Sequence, residues 1–258
     1  MTCEIISTGG KTGNAVLLNG CLLFDCGISW KKLQPYAKQI SLVFLTHKHA
    51  DHFNIQAIGS LWRRRPLIRF VCSTNLLADL VSRAKVPLDR IILVCPEDQP
   101  REIRDWVYGL DLEISSFHLI HDVENVGWIV RVSGGDDDGI AMYATDTHHI
   151  PIAAPDLDLY MIEGNYTQED IERRIAEKTE AGVFSYEGRV LQSHMSMEAA
   201  VEWLGENADP YKSRIVFLHG HTETRKEENT DGLDRAASNA EGAQEDVCLC
   251  GCAESVEN

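Results

Sequence analysis

The chain has 258 residues, 44% hydrophobic and 25% charged, the proportions of an ordinary soluble protein with room for a substantial core. No apolar run approaches the ~20 residues of a membrane span, and a net charge of −16 excludes a broadly basic nucleic-acid-binding face. The stretch from Thr222 holds ten acids and three bases, so the rest of the chain still carries about −9.

Met1-Thr2-Cys3-Glu4 leads into a strand-like segment without a signal-type apolar core, which makes the cytoplasm the expected location. Cys3, Cys21, Cys26, Cys72 and Cys95 lie singly in apolar contexts, a pattern of reduced buried thiols. Glu4–Ser7 reads as a first strand, followed by the glycine-rich turn 9–14. Val16–Leu18, Asn19-Gly20 and Cys21–Phe24 form a hairpin signal, because Asn-Gly suits a type I′ turn. The second of these strands runs into Asp25. A short helix is predicted over Trp30–Lys38, against the preference of Pro35, and an apolar strand over Leu42–Leu45.

That strand delivers Thr46-His47-Lys48-His49-Ala50-Asp51-His52. Side chains two apart on a strand share a side, so His47 and His49 can converge on one point. A turn after His49 lets Asp51 and His52 grip a neighbouring one. Neutral imidazole and ionised carboxylate are the usual ligands of zinc and related divalent ions.

A helix follows over Asn54–Leu61, then Arg63-Arg64-Arg65 and Arg69 around Pro66, read as a solvated helix end with a phosphate-contact patch as the alternative. The alternation continues with strand 69–72, helix 75–84 and strand 91–94. Strands are predicted at 110–119, 127–132, 140–144 and 157–162, with the acidic loop 133–139 read as a solvated hairpin turn in preference to a calcium site. Thr167, with Asp170 three residues on, opens a helix; another starts at Ser196 or its neighbour; Ile215–Leu218 is a last buried strand ending at His219. From residue 222 to 258 periodicity vanishes, which reads as a disordered acidic tail, and its Cys248, Cys250 and Cys252 are spaced more tightly than a usual zinc site.

Five strand ends thus carry His or Asp: Asp25, His47–His52, His121-Asp122, Asp146 and His219. This order resembles the metallo-β-lactamase-fold hydrolases over about residues 1–221, and within them bacterial and phage nuclease-like members, through His121-Asp122 with Gly127-Trp128 and through Thr145-Asp146-Thr147. The resemblance implies an α/β (α+β) four-layer αβ/βα sandwich. It implies one metal held by His47, His49 and His121 and a second by Asp51, His52 and His219, with Asp146 bridging. Asp25 would accept hydrogen bonds that orient the histidine loop. His118 competes with His121, and the strand-end position favours His121; His148 and His149 read as rim residues, and His221 as a surface residue, with substitution for His219 as the outside alternative.

Ser193-His194-Met195-Ser196 resembles the H-x-S motif of tRNA 3′-end endonucleases, whose histidine works with a glutamate; Glu163 matches that position. The implied chemistry is phosphodiester hydrolysis by a hydroxide held between two divalent ions, zinc first and manganese second, with His194 and Glu163 helping the leaving oxygen. The catalytic set is thus Asp51, His194 and Glu163. Only one hairpin fits between His121 and Asp146, so the tRNA-clamping arm is absent there, and His49 stands where di-iron relatives carry glutamate. The expected substrate is a nucleic acid or nucleotide, with a homodimer as the expected assembly. Hydrolysis of an ester, lactone or thioester on the same fold is the competing reading.

Overall fold

The computed structural model describes residues 1–107 and 109–219. The acidic tail with its three cysteines, and His221, lie outside the described residues.

Two six-stranded sheets stack face to face. The first, in chain order, contains β1 (Cys3–Ser7), β2 (Ala15–Leu18), β3 (Leu22–Phe24), β4 (Leu42–Phe44), β5 (Arg69–Cys72) and β6 (Ile91–Leu93). β1 to β3 are antiparallel, and Asn19 and Gly20 supply the positive φ (47° and 67°) that the tight β2–β3 turn requires. β3 to β6 are parallel, and parallel neighbours need crossover connections. These carry α1 (Trp30–Leu33), α2 (Ile55–Arg64) and α3 (Thr74–Ser82). α1 stops well short of Lys38 and continues as hydrogen-bonded turns, in the stretch where Pro35 has no N–H to donate.

The second sheet runs β7 (Arg101–Val107), β8 (Leu110–Leu119), β9 (Asn125–Ser133) and β10 (Gly139–Ala144) as an antiparallel meander, then adds β11 (Leu159–Glu163) and β12 (Arg214–Leu218) in parallel. α4 (Gln168–Glu180), α5 (Glu187–Ser193) and α6 (Met197–Asn207) fill the β11–β12 crossover. The sequence pattern signals neither β7, rich in charged residues, nor α5, a seven-residue helix containing Gly188.

Strand alternation sorts the core. Val16, Leu18, Phe24, Leu42 and Phe44 of the first sheet meet Trp128, Val130, Tyr143 and Met161 of the second. The rings of Phe24 and Phe44 stack at 4.6 Å, with Tyr143 5.0 Å from Phe24 and Trp128 5.7 Å from Phe44. The opposite faces, through Leu17, Leu23, Val43 and Phe70 on one side and Met142, Tyr160 and Ile162 on the other, pack under the helices. Each such buried side chain contributes about 1.5–3 kcal/mol. The result is the expected four-layer αβ/βα sandwich. Among the described residues no helix is long and apolar enough to cross a membrane.

The arginine run ends α2. Arg65 donates to the carbonyls of Ala37 and Lys38, and the Arg64 guanidinium lies 4.5 Å over the Trp30 ring. The 133–139 loop is a hairpin turn in which Asp138 caps Gly135 N–H and Asp137 pairs with the amino terminus.

Candidate metal centre

Ligands of open α/β sheets gather at the carboxyl ends of parallel strands, and here strand ends from both sheets meet along one edge. β3 ends at Asp25, β4 at the histidine stretch, β8 at His121, β10 at Asp146, β11 at Glu163 and β12 at His219. Asp25, Asp146 and His219 all adopt left-handed backbone (φ 58°, 53° and 60°), an uncommon conformation for non-glycine residues that concentrates at functional sites.

The histidine stretch is clamped from below. Asp25, fully buried, accepts from the Thr46 N–H (3.0 Å) and hydroxyl (2.9 Å), from the Tyr143 hydroxyl (3.0 Å) and from His52 Nδ1 (2.6 Å). Because the Thr46 hydroxyl donates to Asp25, His47 Nδ1 donates back to Thr46 Oγ1 at 3.0 Å, which leaves the His47 Nε2 lone pair facing the site. That atom is buried and has no hydrogen-bond partner among the described residues. His121 is set in the same way: its Nδ1 donates to Ser193 O at 3.1 Å, leaving Nε2 for the cluster. Burial drives the His47 imidazole well below its ordinary pKa, and that of His121 below it. Both are therefore held in the neutral form that ligates a metal.

Three groups of donors come within 4.8 Å of one another: His47, His49, His121 and Asp146; Asp51, His52, Asp146 and His219; and Asp146, Glu163, His194 and His219. Asp146 belongs to all three. Its Oδ2 lies 3.7 Å from His47 Nε2, 3.7 Å from His121 Nε2 and 3.3 Å from His52 Nε2, and its Oδ1 lies 3.5 Å from His219 Nδ1. Burial alone would raise the Asp146 carboxyl, but His219 and His52 outweigh it and hold it well below the usual range. His52, despite burial, is raised well above its ordinary value by Asp146 and Asp25. Orphaned imidazole nitrogen, fixed tautomers and a converging N/O donor set fit a divalent cation.

Beside this cluster, His194 Nδ1 and Glu163 Oε1 are 2.6 Å apart. The other Glu163 oxygen accepts the Thr147 N–H at 2.8 Å, and Oε1 also lies 3.1 Å from His219 Nδ1. Burial opposes a charged His194, yet the Glu163 carboxylate raises it above its ordinary value.

The residues assigned to the site from the sequence, Asp25, His47, His49, Asp51, His52, His121, Asp146, Glu163, His194 and His219, thus fall at this edge. His118 does not: it is exposed and pairs with Glu97 at 2.8 Å. His148 and His149 are exposed and outside the three groups. Four participants escaped the sequence reading. Asn14 places its amide 2.8 Å from His52 Nε2, Asn165 lies 3.2 Å from Glu163 and 2.8 Å from His219, Tyr143 holds Asp25, and Arg189 pairs with Asp122. Asparagines and tyrosines have no spacing signature, and Arg189 lies on a helix that was itself unseen. The five cysteines among the described residues are free, and burial pushes the Cys26 and Cys72 thiols up to about 12.

A two-sheet αβ/βα sandwich with a histidine–carboxylate cluster at its strand ends defines a protein of the metallo-β-lactamase fold, able to hold divalent metal. The chain belongs to the β-lactamase superfamily domain family, whose model matches residues 21–219. Solved structures agree on the fold. The metallo-β-lactamase-fold protein YhfI from Bacillus subtilis aligns with a TM-score of 0.59 at 20% identity, over 92% of this chain and 91% of that one. Human tRNase Z, short form, aligns at 0.59 and 17%, over 85% and 92%. Igni18, a metallo hydrolase from the hyperthermophilic archaeon Ignicoccus hospitalis, aligns at 0.54 and 16%, over 93% and 92%. No curated protein matches the chain significantly.

Proposed function

We propose that the protein is a metal-dependent phosphodiesterase acting on nucleic acid or nucleotide substrates. The observation that carries this reading is the His194–Glu163 pair, 2.6 Å apart and sharing Asp146 and His219 with the metal cluster. Resemblance to human tRNase Z at 17% identity speaks to fold; the pair speaks to chemistry.

We assign His47, His49 and His121 to one divalent ion and Asp51, His52 and His219 to another, with Asp146 shared, zinc preferred over manganese for this N/O set. Such ions would make water nucleophilic at neutral pH and screen the phosphoryl oxygens. Asp25 holds His52 and Thr46 in place from behind. Asp51, on the cavity wall, orients the attacking water. As the water, its proton shed to solvent, bonds through oxygen to phosphorus and the ester P–O bond breaks, the departing oxygen takes the proton from His194 Nε2, which solvent then restores. Glu163 fixes the opposite nitrogen and stabilises the imidazolium beforehand. An ester or thioester with a good leaving group has less need of that proton, which is why the pair favours phosphodiesters.

Elemental analysis of protein grown with zinc and manganese, followed by a screen of phosphodiesters, cyclic nucleotides, DNA, RNA and lactones, tests the reading. Asp51→Ala should lose metal and turnover, and His194→Ala should keep metal while phosphodiester kcat drops about 10²–10⁴-fold. Fewer than one metal per chain would sink the two-ion assignment. Undiminished phosphodiester turnover in His194→Ala would move the protein to the ester, lactone or thioester reading. Light scattering checks the expected homodimer.

A further inference from the structure

The mouth of the site carries a second set of residues that hydrolysis itself does not use. Cavity volume there is about 300 Å³, lined by His49, Asp51, His121, Asp122, His194 and His219 on one side and by Tyr186, Arg189 and Val190 of the α5 segment on the other. That is the small end of the range for ligand pockets, enough for the reacting phosphate group, so whatever flanks it must lie at the rim. Among the described residues, Arg189 is the one Lys or Arg in the lining. Its side chain is 72% exposed and pairs with Asp122, whose other oxygen is 3.1 Å from His121 Nε2 and 3.4 Å from His49 Nε2. An exposed ion pair of this kind is worth little, so Arg189 can exchange its carboxylate for a phosphate, which accepts the guanidinium fork equally well.

The residues leading into α5 are large, apolar and exposed: Val183 at 59%, Phe184 at 86% and Tyr186 at 51%. Tyr186 is also anchored, with the Lys178 ammonium 3.9 Å over one face of its ring and Lys178 bonded in turn to Glu187. An aromatic ring held at the lip of a phosphate-sized cavity, as Tyr186 is, is what an unpaired base stacks on, and the exposed Phe184 lies two residues before it. The overall charge argues the same way. A chain at −16 gains little from the phosphate backbone of a long substrate, so affinity has to come from contacts next to the scissile bond.

Resting on the phosphodiesterase reading, we propose that residues 183–189 are a nucleotide-recognition strip. Arg189 takes a non-bridging oxygen of the scissile phosphodiester, and Phe184 and Tyr186 stack the adjoining unpaired base. The substrate class is then single-stranded nucleic acid or a nucleoside phosphodiester, with duplex excluded because its bases are already stacked.

Two arms test it on the metal-loaded full chain. In the first, kcat/KM is measured for thymidine 5′-(p-nitrophenyl phosphate) and methyl p-nitrophenyl phosphate, which share a leaving group and differ in the base. The preference for the thymidine compound should fall about tenfold in Phe184→Ala/Tyr186→Ala, through KM more than kcat, and Arg189→Ala should raise KM for both. A preference unchanged within twofold overturns the strip. In the second arm, fluorescence anisotropy follows binding of labelled oligo-dT and of the same strand in a duplex. The single strand should bind more tightly, and the double variant should lose about tenfold of that affinity. Equal binding of duplex and single strand, or wild-type binding by the variant, overturns it. So does a dimer that dissociates in the variant while base preference survives, since the rings would then serve a second copy of the chain. If neither phosphodiester is turned over by wild-type protein, the reaction assignment fails and the binding arm alone decides the strip.

Discussion

The two walls of the site are built to different standards. On the first-sheet side, Asp25, Thr46, His47 and His52 are completely buried, and each is fixed by hydrogen bonds to the others or to the second sheet. On the α5 side, the side chains of Tyr186, which caps the helix, and Arg189 stand half or more in solvent, held by one contact each, to Lys178 and to Asp122. Buried, over-determined side chains suit donors that must converge within tenths of an ångström. Exposed, singly tethered ones suit groups that must trade partners when a substrate arrives. On the proposed reading, metal chemistry and substrate choice are separated between the walls, with His194 and Glu163 at the seam.

Substitutions can break this contrast, and the largest effect belongs to Asp146, present in all three donor groups. Asp146→Ala should lower metal affinity by more than the roughly 10–100-fold seen for outer partners, measured by competition with a chelator. Gly27 comes next. A Cβ there would lie 1.6 Å from the Asp51 carbonyl oxygen, so Gly27→Val should cost about 1–3 kcal/mol or more of stability by overpacking and lower metal content as well, seen as a depressed Tm with incomplete loading. Asp25→Asn removes the charge behind His52 and should weaken metal binding about 10–100-fold, with the fold retained by circular dichroism.

The smallest effect tests the softer wall. Burial would raise the Glu187 carboxyl, but Lys178 and the Ser185 hydroxyl overcome it and bring it to about 2 from an ordinary 4.5. A depressed carboxylate stabilises the fold above its unfolded pKa and loses that contribution as pH falls through the folded one. Glu187→Gln should therefore lower Tm at pH 7, with the gap to wild type narrowing below 4.5 and closing through 2. A gap constant over that range would show that the α4–α5 clamp is not ionic.

The same division decides what could be read from the sequence. Candidate donors follow apolar strands directly, so strand ends drew out His47 to His52, His121, Asp146 and His219 along with the sheets that carry them, and the family resemblance implied their grouping into a ligand set. Gly127 was equally legible as part of a motif, and its reason is steric, since a Cβ would lie 2.2 Å from the Phe117 ring across β8 and β9. The softer wall left no such trace. α5 is short and contains Gly188, Arg189 meets a carboxylate 67 positions away, and Asn14 reaches His52 across 38. Contacts of that kind join segments distant in sequence within one half of the fold, and they have no local pattern to betray them.

The meeting of strand ends from both sheets has a consequence for when the donor cluster is complete. The four imidazoles of His47, His49, His52 and His121 are on the chain before Asp146 is, and His219 follows Asp146 by about 70 residues, beyond the last strand of the described fold. At roughly 5–20 residues per second on a ribosome, the histidine stretch waits about 8–33 seconds for the residues that complete it. A chain cut short before β12 would lack His219, a donor of the second and third groups, while the group of His47, His49, His121 and Asp146 would have all its members.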